Sequence, residues 1–108
     1  MNEKLLKIIN HYGVMPQLKY FQSEVFELNE AIIKYEEKKK QNVDCKICKK
    51  VEIYDMNFYK NHIAEEIADV MVMLEQFATY YGITDDEISD VMAYKINRQL
   101  ERIENEQR

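Results

Sequence analysis

The chain has 108 residues, 46% of them apolar and 32% charged, which is the make-up of one folded domain and excludes a disordered chain. Twenty acids against fifteen Lys and Arg leave a formal charge of −5, which argues against nucleic acid as a partner. No apolar run approaches the roughly 18 residues needed to span a bilayer, and the start, MNEKLLKIIN, lacks the apolar stretch of a signal peptide, so the expectation is a cytoplasmic protein with no membrane partner.

Two Gly and one Pro fall where helices would end or begin, and the pattern predicts an all-α chain. Leu5, Leu6, Ile8 and Ile9 recur on a helical period before Gly13, which predicts a first helix over 2–12. Pro16 suits the first turn of the next helix, because its missing N–H has no intrahelical partner there. Leu18, Phe21, Val25, Leu28, Ile32 and Tyr35 then form one stripe, giving a second helix over about 16–39. Residues 41–57, QNVDCKICKKVEIYDMN, carry no helical stripe and are long for a bundle connection, where about 2 to 8 residues is usual. They predict a loop insert, with a short extended piece at Val51 to Tyr54.

Tyr59, Ile63, Ile67, Val70, Leu74, Phe77 and Tyr81 make the apolar face of a third helix ended by Gly82. In the following TDDE, Thr84 and Glu87 form a capping box, with Asp85 and Asp86 at the positive end of a fourth helix over about 85–105. Its Ile88, Val91, Met92, Ile96, Leu100 and Ile103 are expected to face inward, and Met71, Met73 and Met92 to act as core filler. The expected architecture is a bundle of about four helices in one domain. A domain of this size buries only about two-thirds of the surface of its unfolded chain, so slender helices gain from a partner, and at least a dimer is expected.

The acids set the chemistry. At about 100° per residue, Glu24 falls inside the arc of Leu28, Ala31 and Tyr35, and Glu27 sits at its edge. On the third helix Glu66 lies at the rim of the apolar face and Asp69 follows on the same flank, beside His62 and Met73. Glu30, Glu36, Glu65 and Glu75 fall toward solvent. A single acid pair of this spacing is ordinarily a solvated boundary. Two helices joined by a loop pack antiparallel, however, and the E24-x-x-E27 and E66-x-x-D69 pairs then face each other. Four such carboxylates need protons, basic partners or a hard cation. All-oxygen ligands suit Mg²⁺ or Mn²⁺, and Mg²⁺ keeps positions for water and phosphates, so a phosphate-handling site is the expectation.

PQLKYFQSEVFELNEAI followed by HIAEEIADVMVMLEQFA resembles the MazG-like all-α nucleoside triphosphate pyrophosphohydrolases, relatives of the dimeric dUTPases and phosphoribosyl-ATP pyrophosphohydrolases. The resemblance spans about residues 12–104. It implies that Glu24, Glu27, Glu66 and Asp69 bind Mg²⁺ and that a nucleoside triphosphate is cleaved between its α and β phosphates, giving a monophosphate and pyrophosphate. It also places basic residues of the late helix near the phosphates: in YKINRQLER, Lys95 and Arg98, with Asn97 a weaker candidate. YGVMPQL is similar to the family's W-G-x-x-x-Q-L stretch, with Tyr for Trp, and makes Tyr12 and Gln17 candidates for holding the base. Active sites close to a subunit interface of a dimer or tetramer are implied as well.

Cys45 and Cys48 form a lone C-x-x-C. Without a second pair, zinc would need His62, His11 or another subunit's cysteines, and two reduced loop thiols are the plainer reading. A redox role would want a βαβ context. His62, one turn before Glu66, reads as a helix-boundary His making one hydrogen bond. Two rivals come from other classes. A di-iron bundle wants E-x-x-H on two helices, which this chain lacks. A non-catalytic nucleotide-binding or regulatory module of the same fold keeps the acids without turnover.

Overall fold

A computed structural model describes residues 2–48 and 53–107. They form four helices and no strand: α1 (Asn2–Tyr12), α2 (Val14–Cys48), α3 (Met56–Tyr80) and α4 (Asp85–Glu106). None is long and apolar enough to cross a membrane.

Local chemistry sets the breaks. Gly13 takes φ +92°, in the left-handed region that a side chain disfavours. Its N–H donates to the Ile9 carbonyl at 2.7 Å and closes α1, while its carbonyl accepts from Gln17 N–H at 3.2 Å and opens α2. Pro16 lies in that first turn, as expected. At the end of α3, Ile83 N–H reaches back to the Ala78 carbonyl at 2.8 Å across Gly82, whose φ is +68°. The capping box is present: Thr84 Oγ1 accepts from Glu87 N–H at 3.2 Å, and Glu87 Oε2 accepts from Thr84 N–H at 2.8 Å.

α2 departs from the expectation. It does not stop near residue 39 but continues to Cys48, which removes the first half of the loop expected over 41–57. The run EEKKKQ is built of good helix formers, so nothing in it breaks the helix. Asn42 then anchors the added turns. It is buried, donates through Nδ2 to the Tyr54 carbonyl at 2.9 Å, and accepts through Oδ1 from Tyr54 N–H at 2.8 Å. Lys38 Nζ stands 4.2 Å from the centre of the Tyr54 ring. Residues 53–55 are irregular and lead to Asp55, which caps α3 by accepting from Asn57 N–H at 3.0 Å. The extended piece expected at Val51 to Tyr54 begins outside the described residues. The side chains of Cys45 and Cys48, and so the zinc and thiol readings, also lie outside them.

α2 and α3 form the central antiparallel pair, joined by the edge-to-face contact of Phe21 and Phe77 with ring centres 5.7 Å apart. α1 packs on both, and Ile9, Ala31 and Met73 are the buried apolar side chains among the described residues. α4 packs on no other helix among the described residues. Its stripe is therefore not turned inward within the chain: Ile96 is 54% and Leu100 57% exposed, and Met92, like Met71 of α3, is exposed rather than core filler. The radius of gyration, 19.1 Å, exceeds the roughly 13 Å of a compact domain of this length, because α4 projects from the three-helix body.

Candidate metal centre and adjoining cleft

Glu24 and Glu66 are acids in buried positions, 5% and 8% exposed, one on each helix of the central pair. Asp69, one turn after Glu66, is exposed. One carboxylate oxygen from each of the three lies within 4.8 Å of the others. Glu27 is not in this tight group and is exposed, yet its charge is felt at Glu66. The antiparallel seam thus brings together three of the four expected acids and keeps the fourth alongside.

Glu24 Oε2 and Glu66 Oε2 are buried and have no hydrogen-bond partner among the described residues. A buried polar atom left so costs free energy unless something supplies a partner. His62 Nε2 is 3.9 Å from Glu66 Oε1, and His62 Nδ1 is 3.9 Å from Glu65 Oε2; both are beyond hydrogen-bond length, so the single bond expected of His62 is not made. Burial pushes the Glu66 carboxyl above its ordinary value, and the charges of Glu27, Asp69 and Glu24 push the same way against His62. An anionic, oxygen-only group with two orphaned buried oxygens fits a hard divalent cation. The residues therefore fit Mg²⁺ or Mn²⁺.

Beside the acids lies a cleft of about 580 Å³, in the range of small-molecule sites. α1 lines it with Ile8 and Tyr12, α2 with Pro16, Gln17, Tyr20 and Glu24, and α3 with Asp69, Val72, Met73 and Gln76. The two residues expected to hold a base, Tyr12 and Gln17, thus share one cavity with Glu24 and Asp69. Tyr12 is exposed, while Gln17 is buried and donates through Nε2 to Gln76 Oε1 at 2.8 Å. The Tyr20 phenol is raised above its ordinary value, first by the Glu24 carboxylate placed to accept its proton and then by the charge on Glu24.

Lys95, Asn97 and Arg98 stand elsewhere. They are exposed on α4, where Lys95, Arg98, Gln99 and Arg102 line a small separate hollow, and no packing among the described residues brings them to the acids.

Tyr20 and Gln76 are the cleft residues that reading the sequence missed. Gln76 carried a signal: Gln17, Glu24 and Glu27 on α2 are spaced as the mirror image of Glu66, Asp69 and Gln76 on α3. In an antiparallel pair that spacing sets acid beside acid and amide beside amide.

Compared with family profiles, curated proteins and solved structures, the chain finds no match in any of the three.

Proposed function

We propose that the protein is a Mg²⁺-dependent nucleoside triphosphate pyrophosphohydrolase, which splits the α–β phosphate bond of a ribo- or deoxyribonucleotide to give the monophosphate and pyrophosphate. The observation that carries this reading is the pair of partnerless buried oxygens on Glu24 and Glu66, converging with Asp69 at one end of a cleft.

In this reading Glu24, Glu66 and Asp69 hold the cation, with Glu27 beside them. Bound there, Mg²⁺ would offset the charge on phosphate oxygens and lower the pKa of a water. Glu27, exposed and outside the tight group, is the carboxylate free to take the proton from the attacking water. That water's oxygen forms a bond to the α-phosphorus as the bond from it to the bridging oxygen breaks, and the electron pair leaves on pyrophosphate. The Tyr20 phenol, held protonated, keeps Glu24 in place. Tyr12 offers a ring face to the base at the other end of the cleft.

The same reading makes the working form a dimer or tetramer in the cytoplasm. α4 leaves its apolar stripe unmatched among the described residues of its own chain, and its Lys95 and Arg98 are then available to the phosphates held by a second protomer.

The test is a panel of nucleoside triphosphates incubated with the protein and Mg²⁺, with pyrophosphate and orthophosphate quantified separately. Pyrophosphate release that requires the cation supports the reading. Nucleotide binding with no release would instead favour the non-catalytic module.

A further inference from the structure

Besides the acids, the central pair buries a second polar contact between α2 and α3. Gln17 and Gln76 are both buried, and Gln17 Nε2 donates to Gln76 Oε1 at 2.8 Å. Gln76 Nε2 in turn donates to Met73 Sδ at 3.7 Å. Flipping one amide alone would set donor against donor or acceptor against acceptor, and flipping both would turn the Gln76 carbonyl onto the Met73 sulfur and lose that donation, so the two contacts together fix which way each amide points. Gln17 Oε1 accepts no hydrogen bond among the described residues, and Gln17 lines the cleft.

The spacing gives the contact its place. Seven residues separate Gln17 from Glu24 and Asp69 from Gln76. Seven residues are nearly two helical turns, so amide and acid share a face on each helix and stand roughly 10 Å apart along it. That is about one sugar and one base away from a phosphate held at the acids. The cleft runs continuously between the two, since Gln17, Gln76, Glu24 and Asp69 all line it.

An amide of fixed orientation offers an acceptor and a donor in a set order. Nucleobases present the complementary edge in two orders. Cytosine and adenine place an exocyclic N–H beside an unprotonated ring nitrogen, whereas uracil, thymine and guanine place a carbonyl beside a ring N–H. We propose that Gln17 and Gln76 form the base-reading end of this cleft: Gln17 contacts the base, and Gln76 is the positioning residue that fixes the Gln17 amide so that only one of the two orders is accepted. The inference rests on the reading of the cleft as a nucleotide site, and it adds that the site discriminates amino bases from keto bases.

The experiment measures binding by calorimetry, with Mg²⁺, of α,β-imido nucleoside triphosphates carrying cytosine, uracil, adenine and guanine, which resist cleavage at the α–β bond. The readout is the ratio of amino-base to keto-base affinity within each ring size, for the wild type, Gln76→Met and Gln76→Glu, with thermal melting as the check on folding. The wild type is expected to prefer one order by about tenfold or more, because a site built around hydrogen bonds rejects the mismatched partner strongly. Gln76→Met, which offers Gln17 only a weakly accepting thioether sulfur in place of the amide carbonyl, is expected to bring the ratio close to one. Gln76→Glu keeps an acceptor and is expected to retain the wild-type preference even where overall affinity falls.

A wild-type ratio near one, or a preference that survives Gln76→Met, overturns the inference. Pyrophosphate release from unmodified triphosphates with a ratio near one removes the inference and leaves the hydrolase standing. A clear preference that Gln76→Met abolishes, in a protein that releases no pyrophosphate, leaves the inference standing and removes the hydrolase. No nucleotide binding at all overturns both.

Discussion

Glu24 and Glu66 lie on different helices, and each buries a carboxylate oxygen that no group among the described residues satisfies. Neither helix alone creates that condition; it arises where the two pack. The pair opposes folding of the metal-free protein and, in the function proposed above, is at once the means of attracting a cation.

Replacing Glu66 by Gln is expected to cut Mg²⁺ affinity and pyrophosphate release by roughly a hundredfold or more, since it removes one of three converging ligands and a full negative charge. The same change is expected to raise the melting temperature of the metal-free protein, because it relieves repulsion from Glu27, Asp69 and Glu24. Calorimetric titration with Mg²⁺ and a melting curve in chelator check the two halves. A variant that loses both affinity and stability would show Glu66 to be structural.

The raised Glu66 carboxyl also fixes a pH dependence. Its folded-state value lies above the ordinary 4.5, so its contribution to stability is fully present below that value and is lost as pH rises through the folded-state value. Metal-free protein is therefore expected to melt at a lower temperature as pH climbs from about 4.5 toward neutrality. Gln at position 66 should flatten this dependence, and Mg²⁺ should restore the loss at neutral pH. Melting curves across that range, with and without the cation, check the sign.

Asn42→Ala removes two hydrogen bonds to the Tyr54 backbone. A cost of about 1–3 kcal/mol is expected, read from urea unfolding, because the Tyr54 N–H and carbonyl lose their partner. The acid cluster lies several turns away along α2, so Mg²⁺ affinity is expected to stay within about twofold, in keeping with the additivity of distant sites.

Leu100→Glu on α4 tests self-association. Among the described residues α4 packs on no other helix, so the folded three-helix body is expected to melt as the wild type does in its monomeric state. Sedimentation is expected to show loss of the oligomer, because a charge placed in an apolar interface is not solvated. If the wild type sediments as a monomer, the assembly proposed above is removed.

The breaks were legible in the sequence where their chemistry is local. Gly13, Pro16, Gly82 and the Thr84–Glu87 box each act over a few residues, and the helices begin and end beside them. The end of α2 was not legible, because the partner that sustains it, Tyr54, lies twelve residues on from Asn42 and the intervening lysines neither favour nor forbid a stop. The acids were legible because charge inside an apolar arc is conspicuous. Gln76 was not, since an amide there becomes notable only once Gln17 is set opposite. The apolar stripe of α4 was plain, but a stripe does not say whether its cover comes from the same chain.

Gly82 carries a consequence for how such a chain can vary. A Cβ there would meet no atom within 4 Å, so only the left-handed backbone, φ +68°, resists substitution. Beyond it, α4 runs as a stiff lever of roughly 33 Å, and a ten-degree swing at its root would carry its tip through about 6 Å. The direction of that lever is decided at one small, uncrowded pivot, far from the carboxylates. A change of a single residue at the pivot can therefore reorient α4 against the three-helix body while leaving the acids and the cleft untouched.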